Sequence, residues 1–106
     1  MAYNASNETQ TVLCTVDKNL KGDKIRVSVI KNTKFNKTSI DVRNMYTAED
    51  GEPRYSSKMG GVRMNAEMAP DVIAAMLMAL DLNEIQDIFA RVQEEKEQAS
   101  ADAETT

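Results

Sequence analysis

The chain is 106 residues long, 42% hydrophobic and 28% charged, with a net charge of −4, one cysteine and no histidine. That length makes one small domain, whose core is marginal for a lone subunit and points to burial against a second copy. The lack of histidine excludes imidazole acid–base catalysis and His-ligated metal sites, and a lone Cys14 excludes an internal disulfide. Cys14 sits in an apolar stretch and reads as a small buried side chain. No apolar run reaches ~20 residues and the first residues are polar, so the expectation is a soluble, cytoplasmic protein with no membrane association. The net charge hides an asymmetry: residues 1–65 hold eleven basic and seven acidic side chains, whereas residues 66–106 hold two basic and ten acidic ones. The average thus conceals a basic first part and an acidic end.

In chain order, residues 1–10 read as a flexible N-terminal arm. Thr11 to Val16 is a first strand on its Thr and Val content, with Val12, Cys14 and Val16 on one face. Asp17 to Asp23 is a turn rich in Asn, Asp and Gly. Lys24 to Ile30 alternates strictly, placing Ile25, Val27 and Val29 on a core face and Lys24, Arg26 and Ser28 on a polar, cationic one. A hairpin turn carrying Lys31, Lys34, Phe35 and Lys37 leads into a strand from Thr38 to Tyr46, with Ile40 and Val42 facing the core. After the Ala48–Pro53 turn, Tyr55 to Met64 returns as a fourth strand, in which Gly60-Gly61 marks a bulge or a close backbone approach.

The period then changes from two to 3.6. Ile73, Met76, Leu77 and Leu80 form one helical stripe, with Asn65 as an N-cap and Pro70 as a first-turn residue offering two different starts. Ile85, Ile88, Phe89 and Val92 form a second stripe. The five-residue step from Leu80 to Ile85 breaks the phase, so two helices are expected, the second over residues 83–96 with Asn83 and Gln86 as its capping box. Residues 97–106 are acidic and lack an apolar anchor, which predicts a disordered tail. The fold class is α+β: four antiparallel strands (11–80 with the first helix forming the main domain), then one or two helices.

Little here supports catalysis. Glu49, Asp50 and Glu52 crowd one turn near Asp41 without the spacing of a calcium loop, and no Gly-rich phosphate loop precedes a helix. The reading is a non-enzyme without metal or cofactor. Binding is better supported, because lysines and arginines can replace counterions on phosphates while aromatic rings stack bases. Phe35 lies between Lys34 and Lys37, and the next strand ends in Tyr46. Two readings stand at this point. In one these side chains bind nucleic acid; in the other the aromatics belong to the core or a dimer interface and the lysines only solubilise.

Val27-Ser28-Val29, the basic turn with Phe35 and Lys37, Ile40-Asp41-Val42-Arg43-Asn44-Met45-Tyr46, Asp50-Gly51-Glu52-Pro53, and Lys58 with Gly61-Val62 before a helix occur in that order. Together they resemble the positive-cofactor-four family, small transcription coactivators and single-stranded-DNA-binding proteins. The resemblance spans roughly Lys24 to Leu80 and implies a curved four-stranded sheet followed by a helix, in a homodimer with two basic channels. Carried over by position, it implies DNA contacts at Phe35, Lys37, Arg43, Tyr46 and Lys58; Lys31, Lys34, Arg54 and Arg63 join them on charge alone. It also resembles a phage or bacterial member, in the cytoplasm of the host if phage-encoded, acting with replication, recombination or transcription proteins. The alternative is a protein–protein interaction module, a coactivator or inhibitor that uses its C-terminal helices. Arg43 and Tyr46 have opposite parity on a flat strand, so both reach one face only if the strand twists or bulges between them; the alternative for Arg43 is a structural bridge to Asp41 or another acid.

Overall fold

A computed structural model of the chain describes residues 7–105. Five strands are followed by a short 3-10 turn and two α-helices, an α+β order of elements. The chain divides into two units, Met1–Ala69 with the strands and Pro70–Thr106 with most of the helical residues. The strands are β1 (Glu8–Asp17), β2 (Lys24–Asn32), β3 (Lys37–Thr47), β4 (Pro53–Tyr55) and β5 (Gly61–Asn65). They form one antiparallel sheet in the order β1-β2-β3-β4, with β5 also paired to β3.

β4 and β5 are two pieces of the expected fourth strand. Ser56 N donates to Asn44 O at 2.9 Å and Asn44 N donates to Gly60 O at 3.0 Å, so one residue of β3 faces both ends of the 56–60 excursion. Gly60 N closes that excursion onto Ser56 O at 2.8 Å. Both readings of the glycine pair hold. Gly60 has φ +65°, and a side chain on Gly61 would collide with the Val42 carbonyl and come within 2.9 Å of the Arg43 Cα.

At the other edge, β1 begins at Glu8, so residues 8–10 belong to the sheet rather than to a flexible arm; residues 1–6 lie outside the described residues. A bulge shifts its register between Val12, opposite Ser28, and Cys14, opposite Val27. The extra residue puts Val12 on the face opposite Cys14 and Val16, against the expected single face. Cys14 is exposed, not buried, because that face of the edge strand is uncovered.

The β2–β3 hairpin is regular. Its pairing runs unbroken from Lys24 opposite Met45 to Asn32 opposite Lys37. The turn at residues 33–36 uses Asn36 at φ 49°, a conformation Asn tolerates, and the Asn32 side-chain oxygen accepts from Phe35 N at 3.1 Å.

The sheet folds strongly over one face. Gln10 lies opposite Ile30, which is opposite Ser39, whereas Tyr55 lies opposite Met45. On a flat sheet these positions would be roughly 20 Å apart along the strands and roughly 14 Å across them. Yet Gln10 Nε2 bonds the Tyr55 hydroxyl at 2.7 Å and Ser28 Oγ at 3.1 Å. The face thus closed over is where burial is deepest: Ser28 and Met45 are each 1% exposed, and Asp41 and Ile30 are also buried. The predicted alternation holds, but the deepest burial lies on the face opposite to the expected one. Ile25, Val27, Val29, Ile40 and Val42 share the opposite, convex face and are only half-buried. Curvature, not side-chain polarity, decides which face closes.

Of the two start signals of the helical region, Pro70 marks the α-helix and Asn65 only the position before a 3-10 turn. Asn65 precedes the 3-10 turn Ala66–Met68 but makes no side-chain capping bond, and α1 (Ala69–Leu77) then begins with Pro70 in its first turn. α2 spans Leu82–Thr105. Its capping box is Asp81 with Glu84, not Asn83 with Gln86: Glu84 N donates to Asp81 Oδ1 at 2.9 Å and Asp81 N to Glu84 Oε1 at 3.3 Å. α2 also runs past residue 96, through residues expected to be disordered. Ala, Glu, Gln and Lys are strong helix formers, and Gln93–Glu97 and Gln98–Asp102 bonds at i,i+4 support the last turns. Among the described residues no helix is long and apolar enough to cross a membrane.

Candidate nucleic-acid interface

Residues directly opposite each other in adjacent strands share a face, so register assigns each candidate side chain. Lys37 and Arg43 of β3 and Arg63 of β5 lie on the concave face, together with Lys24 and Arg26 of β2 and Tyr55 of β4. Lys31, Tyr46 and Arg54 lie on the convex face, with Tyr46 opposite Arg54. Lys34 and Phe35 occupy the 33–36 turn, and Lys58 the 56–60 excursion. No bulge separates Arg43 from Tyr46 in β3, because the β2–β3 register is continuous from Arg43 to Met45 and the β3–β4 register carries on through Met45 and Tyr46. The two therefore point to opposite faces and cannot grip the same nucleotide.

Arg43 does pair with Asp41. Its Nε lies 2.9 and 3.0 Å from the two carboxylate oxygens, and Arg63 Nε lies 3.2 Å from the second. Asp41 itself is 3% exposed and stands opposite Ser28 and Arg63. A buried carboxylate needs such partners, since removing an unpaired charge from water costs far more than one hydrogen bond returns. The bond at Nε has a second consequence. Among the described residues the two terminal amino groups of Arg43 make no hydrogen bond, so Asp41 fixes the stem of the guanidinium and leaves its two-pronged edge unused. That edge is the one that matches phosphate and base acceptors bidentately.

Arg26 stands directly opposite Arg43. Like charges facing each other across a pair of strands are destabilising. Arg26 is bonded only to Thr15 Oγ1, at 3.2 Å, with no carboxylate partner among the described residues. The pair is a place where a bound anion would relieve repulsion. Lys24, by contrast, is ion-paired with Asp17, and Arg54 with Asp50 at 2.7 Å.

At the hairpin tip the Phe35 ring is 70% exposed, with Lys34 Nζ 5.5 Å from its centroid. Among the described residues Lys31, Lys34, Lys37 and Lys58 form no ion pair. An exposed ring flanked by uncommitted cations can stack a base while the lysines approach its phosphates. Tyr46, 41% exposed, offers a second ring on the convex face.

The folded-over sheet leaves an open cavity of about 540 Å³ on the concave face, walled by Glu8, Arg43, Tyr55 and Arg63 over a floor that includes Ile30. No cluster of three or more Cys, Asp or Glu side chains among the described residues is arranged to hold a metal ion. Arg26, Tyr55 and Glu8 were not among the residues singled out from sequence. Arg26 was within reach of it: a four-residue turn after Asn32 fixes the hairpin register and sets Arg26 against Arg43. Glu8 and Tyr55 depend on the curvature, which no local pattern encodes. Comparison with protein-family models, characterised proteins and solved structures finds no match for this chain.

Proposed function

We propose that the chain binds single-stranded DNA with little sequence preference along its backbone, as a homodimer, in replication, recombination or transcription coactivation. The observation that supports this most is the Arg26–Arg43 pair, two arginines directly opposite each other in the β2–β3 register on the concave surface, without a carboxylate for Arg26 among the described residues. Facing like charges are destabilising, and a phosphate between the two turns repulsion into attraction. Lys37 shares that face, and Phe35 with Lys34 caps its hairpin end. The resemblance of the Lys24–Leu80 landmarks to the positive-cofactor-four family favours the same reading.

In this reading the contacts form two groups. Lys34, Phe35, Lys37, Arg43 and Arg26 act along the concave side, with Lys58 at the rim of its 56–60 excursion. Lys31, Tyr46 and Arg54 serve a strand on the convex side or the boundary with a second copy. The half-buried convex apolar residues, with Val62 57% exposed among them, give a second copy something to cover.

The protein-interaction reading keeps one observation of its own. Met76, Met78, Leu82 and Phe89 are exposed along the helical unit, an apolar display a monomer seldom retains. Removing residues 83–106 separates the two. DNA affinity that survives or rises supports the first reading, and affinity lost with an intact sheet supports the second.

A further inference from the structure

We propose that the concave cavity is a nucleobase pocket, and that its edge pattern selects guanine. This deepens the single-strand reading and rests on it for biological meaning, although the pocket can be probed without a strand. Its volume of about 540 Å³ lies within the range of small-ligand sites. The charged side chains that line it balance, Glu8 and Asp41 against Arg43 and Arg63, so the cavity itself suits a neutral polar ring, with Arg43 turning its free edge to the base and Arg26, outside the lining, taking the neighbouring phosphate. Its other walls suit a flat ring as well: buried Ile30 in the floor and the half-exposed Tyr55 ring at the side.

Glu8 carries the assignment. Its side chain is only 17% exposed, yet its single contact among the described residues is an ion pair with Arg63 at 3.5 Å, too long for a good hydrogen bond. Asp41 already accepts from both arginines, so Glu8 is the carboxylate with acceptor capacity to spare. Glu8 and the unused guanidinium edge of Arg43 line the same cavity, and such a pair complements guanine: the carboxylate accepts from N1–H and the exocyclic amine, and the Arg43 edge donates to O6 and N7. Cytosine and thymine offer no such pair of edges, and adenine lacks the N1–H donor.

The test uses the full chain and thymine oligonucleotides with or without one central guanine. The guanine-containing strand is expected to bind about tenfold more tightly. Glu8→Gln keeps the shape but removes the charge. It should erase that preference while all-thymine affinity stays level or rises, because one negative charge has gone. Equal affinities in the wild type, or a preference that persists in Glu8→Gln, overturn the pocket. Independently of any strand, guanosine titrated into 15N-labelled protein should shift the side-chain Nε–H signals of Arg43 and Arg63, and cytidine should not. If neither nucleoside perturbs them, the pocket is ruled out even if strands bind. If guanosine does and no strand binds, the pocket stands and the single-strand reading falls.

Discussion

Asp41 shows how one side chain can be structural and functional at once. It is buried, it holds Arg43 and Arg63 by their Nε atoms, and it thereby aims the far edge of Arg43. Asp41→Asn should cost about 1–3 kcal/mol of stability, read as a lower melting temperature, because charge-assisted bonds weaken and two arginines lose their anchor. Arg26 predicts the opposite pattern. Arg26→Gln removes a repulsion, so the melting temperature should hold or rise. Single-strand binding should weaken, with the salt slope falling by about 0.7 for the lost phosphate contact. A melting temperature that drops sharply in that variant would mean Arg26 is a structural residue. Phe35→Ala should weaken binding by roughly 1–3 kcal/mol with no change in thermal stability, since the ring is 70% exposed and holds nothing in place.

At the scale of elements, the glycine pair and the capping box carry the sharpest expectations. Gly61→Ala forces a methyl group into the Val42 carbonyl and the Arg43 backbone, so β5 must move off β3. A loss of about 1–3 kcal/mol, seen in denaturant unfolding, is expected. Asp81→Ala removes half of the α2 cap and should cost about 1 kcal/mol, with reduced helicity by circular dichroism. The elements themselves were legible because each rests on a local signal: strict alternation in Lys24–Ile30, turn residues at 17–23 and 48–53, and a change of period after Asn65. What escaped depended on other things. The bulge at Val12–Cys14 and the extension of β1 to Glu8 come from pairing with β2, which β1 alone does not reveal. The continuation of α2 past residue 96 comes from helix propensity and side-chain pairs in a stretch that lacks an apolar stripe. For the candidate interface, the sequence suggests the basic hairpin tip and Arg43, but parity alone does not say whether Tyr46 shares their face. The unbroken β2–β3 register to Met45, continued by β3–β4 pairing through Tyr46, answers that Tyr46 lies on the other face.

At the scale of the molecule, the charge asymmetry of the sequence maps onto the two units: excess base in the sheet unit, excess acid in the helical one. A negative protein can therefore carry a surface for a polyanion, and net charge misjudges it. The proposed role of this surface is to hold a single strand by its phosphates and bases. Its most direct measurement is the affinity of the full chain for a labelled single-stranded oligonucleotide and for its duplex across a series of salt concentrations. Tighter binding of the single strand is expected, with log affinity falling linearly against log salt by several times about 0.7. No binding at low salt, or equal affinity for duplex and single strand, would contradict it.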